Sequence, residues 1–182
     1  KGAVPANYKW YDLIASKKDI SLFGKWTYQL NTHWQTYVDV QGRSVNYSIN
    51  GFRNNPGIEL RNEYFFFTPK AGITYNHKNA QYYFSYARAA KEPNRDDFEA
   101  GLNQQPRPEK LNDLEAGIEI KKKNLSWSIN LYYMWYKDQL VLTGKVNDVG
   151  AYTRTNIDRS YRAGIELQAA VTVSKWLQIS GN

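Results

Sequence analysis

From Leu125 to Asp138 the chain alternates. Odd positions read Leu125, Trp127, Ile129, Leu131, Tyr133 and Trp135. Even positions read Ser126, Ser128, Asn130, Tyr132, Met134, Tyr136 and Asp138. Successive side chains of a strand point to opposite faces, so this period of two predicts a strand with one apolar and one mostly polar face. The pattern recurs over 160–171, where Tyr161, Ala163, Ile165, Leu167, Ala169 and Val171 oppose Arg162, Gly164, Glu166, Gln168 and Ala170. Over 113–121, Leu114, Ala116, Ile118 and Ile120 oppose Asp113, Glu115, Gly117, Glu119 and Lys121. Segments 21–30 and 34–41 alternate likewise, 70–76 and 80–89 are strand-like, and another strand begins at Trp176. No helix of useful length emerges, which disfavours α/β folds.

The connections sort by length. Short polar turns fall at Asn31-Thr32-His33, Asn76-His77-Lys78-Asn79, Lys121-Lys122-Lys123-Asn124 and Val173-Ser174-Lys175. Between them, 43–62, 91–111 and 140–156 read as long irregular loops rich in Gly, Pro, Asn, Asp and Arg. The predicted fold is all-β: an antiparallel up-and-down meander of about eight strands with short turns at one end and long loops at the other. That segregation describes part of a larger transmembrane β-barrel. A propeller blade would place four strands in each such period, where this chain places two.

Polarity supports the same reading. Glu115, Glu119, Arg162 and Glu166 on the polar faces cannot enter a dry core without partners, but they can line a wet lumen. Trp26, Tyr28, Trp34, Tyr82, Trp127, Trp135, Tyr161 and Trp176 lie near strand ends, as in the aromatic girdles of a membrane barrel. Aromatics make up 15% of the chain, yet its mean hydropathy is −0.69. No run is long and apolar enough for a transmembrane helix. The absence of cysteine excludes disulfides, Cys-ligated zinc and thiol catalysis. The net charge of +7 is scattered and forms no compact basic stripe, so nucleic acid is not an expected partner. His33 and His77 fall in or beside short turns and nominate no metal site, and no catalytic or cofactor-binding motif appears.

The run Tyr82-Tyr83-Phe84-Ser85-Tyr86-Ala87-Arg88-Ala89-Ala90-Lys91-Glu92-Pro93-Asn94-Arg95-Asp96-Asp97-Phe98, followed by Pro108-Glu109-Lys110-Leu111-Asn112-Asp113-Leu114-Glu115-Ala116-Gly117, resembles TonB-dependent outer-membrane receptors. Phe66-Phe67-Thr68-Pro69-Lys70-Ala71-Gly72 and Ser160-Tyr161-Arg162-Ala163-Gly164-Ile165-Glu166 add to the likeness, which spans most of 16–182 and is nearest in flavour to iron-complex receptors of Bacteroidetes-like bacteria. The resemblance implies an active transporter, not an enzyme. Its barrel would have about 22 strands around an N-terminal plug, and the TonB complex would pull on that plug to admit a scarce ligand such as a ferric siderophore. The start Lys1-Gly2-Ala3-Val4-Pro5 has no signal-peptide apolar region, and the last strand stops at Asn182 without a terminal aromatic. We therefore expect residues 1–182 to be an internal barrel segment of a multi-pass protein of the Gram-negative outer membrane, with plug and remaining strands elsewhere. Lipid and lipopolysaccharide would surround it, and its open strand edges would invite self-association if it were isolated.

A ligand would meet the long loops and upper lumen. The candidates are Arg53, Asn54, Asn55 and Arg61 in the first loop, Arg95 and Arg107 in the second, and Tyr152 and Arg154 in the third. Arginine suits carboxylates and anionic chelates through paired hydrogen bonds. The competing role for these residues is to tie loops together or to meet lipopolysaccharide headgroups, and for Glu92, Arg95 and Glu109 a tying role is expected. The alternative for the whole chain is a soluble all-β ligand- or carbohydrate-binding module, which would bury its apolar faces between two sheets. A barrel turns them outward.

Overall fold

The computed structural model describes residues 14–52, 57–100, 105–146 and 152–182. Strands β1 (Ile14–Gln29), β2 (Trp34–Asn50), β3 (Glu59–Phe67), β4 (Lys70–His77), β5 (Ala80–Lys91), β6 (Glu109–Lys121), β7 (Leu125–Val146), β8 (Tyr152–Ser174) and β9 (Leu177–Gly181) carry the chain, with one short helix, α1 (Arg95–Ala100). They form one antiparallel sheet in the order β1-β2-β4-β5-β6-β7-β8-β9, with β3 also paired to β2. The all-β meander read from the alternation is what the chain adopts.

Two of these elements are one line of chain. Phe67 lies opposite Gly42 and Lys70 opposite Asp39, so no residue is gained or lost between β3 and β4. Thr68 still donates its backbone N–H to Gln41, at 2.9 Å, and the Pro69 carbonyl still accepts from Arg88, at 2.9 Å. The break is Pro69 itself, which has no N–H to give to the ladder. Counted this way the meander has the eight strands that the pattern predicts.

The short turns are built locally. The Asn31 side chain accepts the backbone N–H groups of His33 (2.9 Å) and Trp34 (3.0 Å), an Asx-type closure. His77 pairs with Ala80, which leaves a two-residue turn with Lys78 in the left-handed region at φ 51°.

Outward side chains form rows across the sheet. One row is Ala80, Ile120, Trp127 and Ala169; the next three are Tyr82, Ile118, Ile129, Leu167, then Phe84, Ala116, Leu131, Ile165, then Tyr86, Leu114, Tyr133, Ala163. These residues are not packed into a second layer: Leu131 is 48% and Ile165 67% exposed. A sandwich would bury them, so the soluble-module alternative loses its main requirement. From Trp127 to Trp135 the strand rises about 27 Å. At a tilt of roughly 40° that is about 21 Å of height, close to the ~25 Å apolar band of an outer-membrane barrel.

The opposite face is concave, and its packing shows why. Tyr37, Tyr83 and Tyr132 each lie directly opposite a glycine on the next strand, Gly72, Gly117 and Gly164. A Cβ on Gly72 or Gly117 would sit 2.5 Å from the facing tyrosine ring, and one on Gly164 would strike Tyr132. Each ring therefore occupies the space a side chain would fill. Tyr83 reaches over Gly117 to donate to Asn130 Oδ1 at 2.9 Å, spanning from β5 to β7.

Above the band the polarity inverts. On β2, Val45 and Ile49 on the concave face are buried, while Ser44, Asn46, Ser48 and Asn50 face out. The region 43–62, expected to be a loop, is thus strand over most of its described length. Its outer face is polar, so the apolar-out alternation of the lower strands disappears there. The same reason applies to β7 beyond Leu140 and to the first residues of β8, which extend into the expected loop 140–156.

Candidate functional site: the loop-end lumen

Residues after β5 fold back over the concave face. Asn94 caps α1 by accepting the Asp97 N–H at 3.0 Å, and Asp97 Oδ2 accepts the Asn94 N–H at 2.7 Å, a reciprocal capping box. Phe98 then enters a small apolar core with Ile49, Phe52 and Leu60, flanked by Tyr47 and Ile58. The neighbouring Asp97, 4% exposed, accepts Arg154 Nη1 of β8 at 2.7 Å. In a flat sheet β2 and β8 would stand about 24 Å apart. Two consecutive residues reach both, so the sheet is curled and α1 lies as a chord across its mouth. Replacing Asn94 with Ala should cost about 1 kcal/mol, read as faster amide exchange confined to 94–98.

Ion pairs fix the rest of this rim. Arg43 on β2 is the hub. Its Nε and Nη2 donate to Asp19 at 3.0 and 2.6 Å, and its Nη1 and Nη2 donate to Glu92 at 2.9 Å each. Lys17 Nζ adds a 3.0 Å bond to Glu92. Burial works against the Glu92 charge, but bonds from Arg43, its own backbone and Lys17 hold its carboxyl below the usual carboxylate range. A folded-state pKa below the unfolded one contributes stability that is complete above the unfolded value. That contribution is lost as pH falls through the folded value. The loop tether should hold at neutral pH and release in acid, seen as protease cleavage within 91–98 that rises below the ordinary carboxylate range, whereas Glu92→Gln should be cleaved faster already at neutral pH and lack that acid-dependent step.

A second knot closes the other side. Arg107 Nε donates to Asp138 Oδ1 at 2.8 Å, and its Nη2 lies 3.3 Å from Asp158. Asp138 is buried and holds a left-handed backbone at φ 57° within β7. Asn156 Nδ2 donates to the carbonyls of Arg107 (2.9 Å) and Asp138 (2.7 Å). Glu109 Oε2 accepts the Leu140 N–H at 3.0 Å.

Between β1, β2 and the returning loop lies a cavity of about 520 Å³, bordered by Lys17, Arg43, Tyr47, Lys91, Glu92 and Arg95. Its rim carries four cations against one carboxylate, and its floor is aromatic and aliphatic. Such a pocket has the chemistry to hold an anionic ligand with an apolar body.

The structure distributes the nominated residues unevenly. Arg107 and Arg154 are committed to ion pairs. Arg95 lies over the Phe52 ring at 5.3 Å and borders the cavity. Arg61 sits opposite Ser48 on the outward face, away from the lumen. Tyr152 opens β8 opposite Val146. Arg53, Asn54 and Asn55 lie outside the described residues. Lys17, Arg43 and Lys91 were not nominated. Arg43 continues the alternation from Gln41, and that continuation was the available signal. His33 and His77, read as separate turn residues, stack with ring centres 6.0 Å apart at the short-turn end.

The sheet, its outward apolar band and its closed-over loop end meet a decisive comparison. The family model described as TonB dependent receptor-like, beta-barrel matches residues 2–182. The chain belongs to this family. No curated protein matches it. Among solved structures, the copper transporter OprC is similar over 88% of this chain and 27% of its own, at TM-score 0.76 and 14% identity. The FrpB iron transporter of Neisseria meningitidis (F3-3 variant) is similar over 90% and 25%, at TM-score 0.63 and 14% identity. The siderophore receptor PirA of Pseudomonas aeruginosa is similar over 91% and 42%, at TM-score 0.60 and 14% identity. At that identity the likeness speaks for the fold, and the chain spans less than half the length of each. TonB-dependent receptors are transport proteins of the Gram-negative outer membrane.

Proposed function

We propose that this chain is a wall of the barrel of a TonB-dependent importer whose cargo is an iron-siderophore complex. In this reading the strands that complete edges β1 and β9, and a plug that engages the TonB complex, belong to the rest of the receptor. The observation that carries the cargo class is the 520 Å³ cavity in the loop-end lumen, with Lys17, Lys91 and Arg95 on its rim. Cations above an apolar floor suit an anionic ferric chelate, and the named cargoes of the FrpB and PirA relatives are in keeping with it. Arg53, Asn54 and Asn55 would approach the same ligand from the first loop, and Tyr152 from the third. Arg107 and Arg154 would act by holding the rim.

The test is uptake of radiolabelled iron by cells whose only route is the whole receptor. Losing one charge-assisted contact in Arg95→Gln should raise the half-saturating chelate concentration about tenfold with the amount of folded barrel unchanged. Uptake indifferent to deletion of the whole gene, across a panel of ferric chelates, would remove iron as the cargo.

A further inference from the structure

The outward face carries a cation row for which the receptor reading has no use. Directly above the last aromatic level, which holds Arg88, Asn112, Trp135 and Tyr161, the next row reads Ala90, Lys110, Lys137 and Arg159. Lys110 pairs directly with Lys137, and Lys137 directly with Arg159. Like charges directly opposite on one face are destabilising, because their Cβ atoms stand only about 5 Å apart. The fold supplies no relief. Among the described residues, no carboxylate forms an ion pair with Lys110, Lys137, Arg159 or Arg88.

Elsewhere in the sheet, among the described residues, no two cations are paired directly across strands. Inside the lumen, Arg43, Arg107 and Arg154 are all matched to carboxylates. On the outward face of β2 and β3, Arg61 is flanked along its strand by Glu59 and Glu63. Among the described residues, only over β6–β8 does the outer face stack cations side by side. Lys137 and Arg159 are exposed and Lys110 half-buried, so the row is open to whatever surrounds the barrel.

Its level identifies the surroundings. Lys137 lies two residues beyond Trp135 along β7, about 7 Å of strand and roughly 5 Å of height above the aromatic level. Below it, Tyr133, Leu131, Ala163 and Ile165 present an unbroken apolar column. The long-loop end of an outer-membrane barrel is the extracellular one. A ligand that satisfies both levels has anionic phosphate at headgroup height and acyl chains beneath.

We propose that Lys110, Lys137 and Arg159, with Arg88 one level below, form a docking site for the phosphate groups of the outer leaflet's anionic glycolipid. The bound phosphates cancel the repulsion between the three cations, and the acyl chains cover the apolar column. The inference rests on the outer-membrane placement and is independent of the cargo.

The test uses the whole receptor in zwitterionic detergent, with folding verified by its heat-modifiable mobility on gels. Purified lipopolysaccharide is titrated against the thermal unfolding midpoint of the wild type, of K110Q/K137Q/R159Q and of K110R/K137R/R159K. Lipopolysaccharide should raise the wild-type and charge-conserving midpoints by several degrees. The neutral variant should need on the order of a hundredfold more for the same shift. Without lipid, the neutral variant should unfold no lower than the wild type, because it has shed the repulsion. If it fails to fold, K137Q alone reads the same effect. Equal shifts for neutral and wild-type receptors would overturn the proposal, as would equal shifts with dephosphorylated lipopolysaccharide or with phosphatidylethanolamine. Inorganic phosphate acting as strongly at matched phosphate concentration would make this a free-anion site, which also overturns it. A receptor absent from the outer-membrane fraction would refute the membrane placement instead, and the mobility assay separates the two failures.

Discussion

Gly117→Val should cost the barrel about 3 kcal/mol or more and sharply reduce the folded, heat-modifiable form in outer membranes. The physical reason is space. A Cβ at position 117 would lie 2.5 Å from Cε1 and Cζ of Tyr83 and 2.6 Å from its hydroxyl. The ring cannot slide aside cheaply, since it is also held by the 2.9 Å bond to Asn130. To admit valine, Tyr83 must lift off β6 and give up that bond. Tyr83→Ala in the Gly117→Val background should return most of the lost stability, because it removes the ring that valine strikes. A coupling well above 0.5 kcal/mol between the two sites would confirm the contact. Independent, additive effects would show that the ring does not sit on the glycine. The measurement is urea unfolding of the lipid-embedded receptor followed by tryptophan fluorescence, and Tyr37 over Gly72 offers a second pair for the same cycle.

Arg43→Ala should destabilise the loop end by about 2–3 kcal/mol while leaving the membrane band folded. Arg43 answers two carboxylates, and Glu92 is the less accessible of them, with its side chain 12% exposed against 38% for Asp19. Removing the guanidinium leaves Glu92 with Lys17 as its one remaining cation and lets 92–98 come away from β2. Protease cleavage there, and loss of amide protection on β3, should report the release. Arg43→Lys should recover only part of the effect, since an ammonium cannot present paired donors to two carboxylates at once. Full recovery by lysine would mean that charge alone matters and that the forked geometry does not.

How much of this was legible in the sequence depends on height in the membrane. Over β6–β8 one face of the sheet is apolar and the other polar, so Trp127, Ile129 and Leu131 alternate cleanly with Ser128, Asn130 and Tyr132. Above the band that contrast vanishes. Ser44, Asn46 and Ser48 face water, Val45 and Ile49 face the apolar core beneath α1, and the segment reads as a polar loop. Arg43 was hidden there for that reason. Arg61 was legible in principle, because Phe67 and Phe65 set the outward parity of β3 and Arg61 shares it. Helix α1 is too short to show a periodicity, although Asn94 and Asp97 stand at capping-box spacing. The cation row could not be read at all without register, since Lys110, Lys137 and Arg159 meet only when three strands are aligned.

The central claim is that the apolar face of this sheet meets lipid and the polar face meets a wet lumen. The chain contributes no cysteine of its own, so single cysteines can be placed along β7 from Ser128 to Tyr133 in the whole receptor and spin-labelled. Relaxation by oxygen, which concentrates in lipid, should peak at Ile129, Leu131 and Tyr133. Relaxation by an aqueous nickel chelate should peak at Ser128, Asn130 and Tyr132, giving two profiles of period two in opposite phase. A phase reversal, or protection of the odd positions from both reagents as in a dry two-sheet core, would contradict the account.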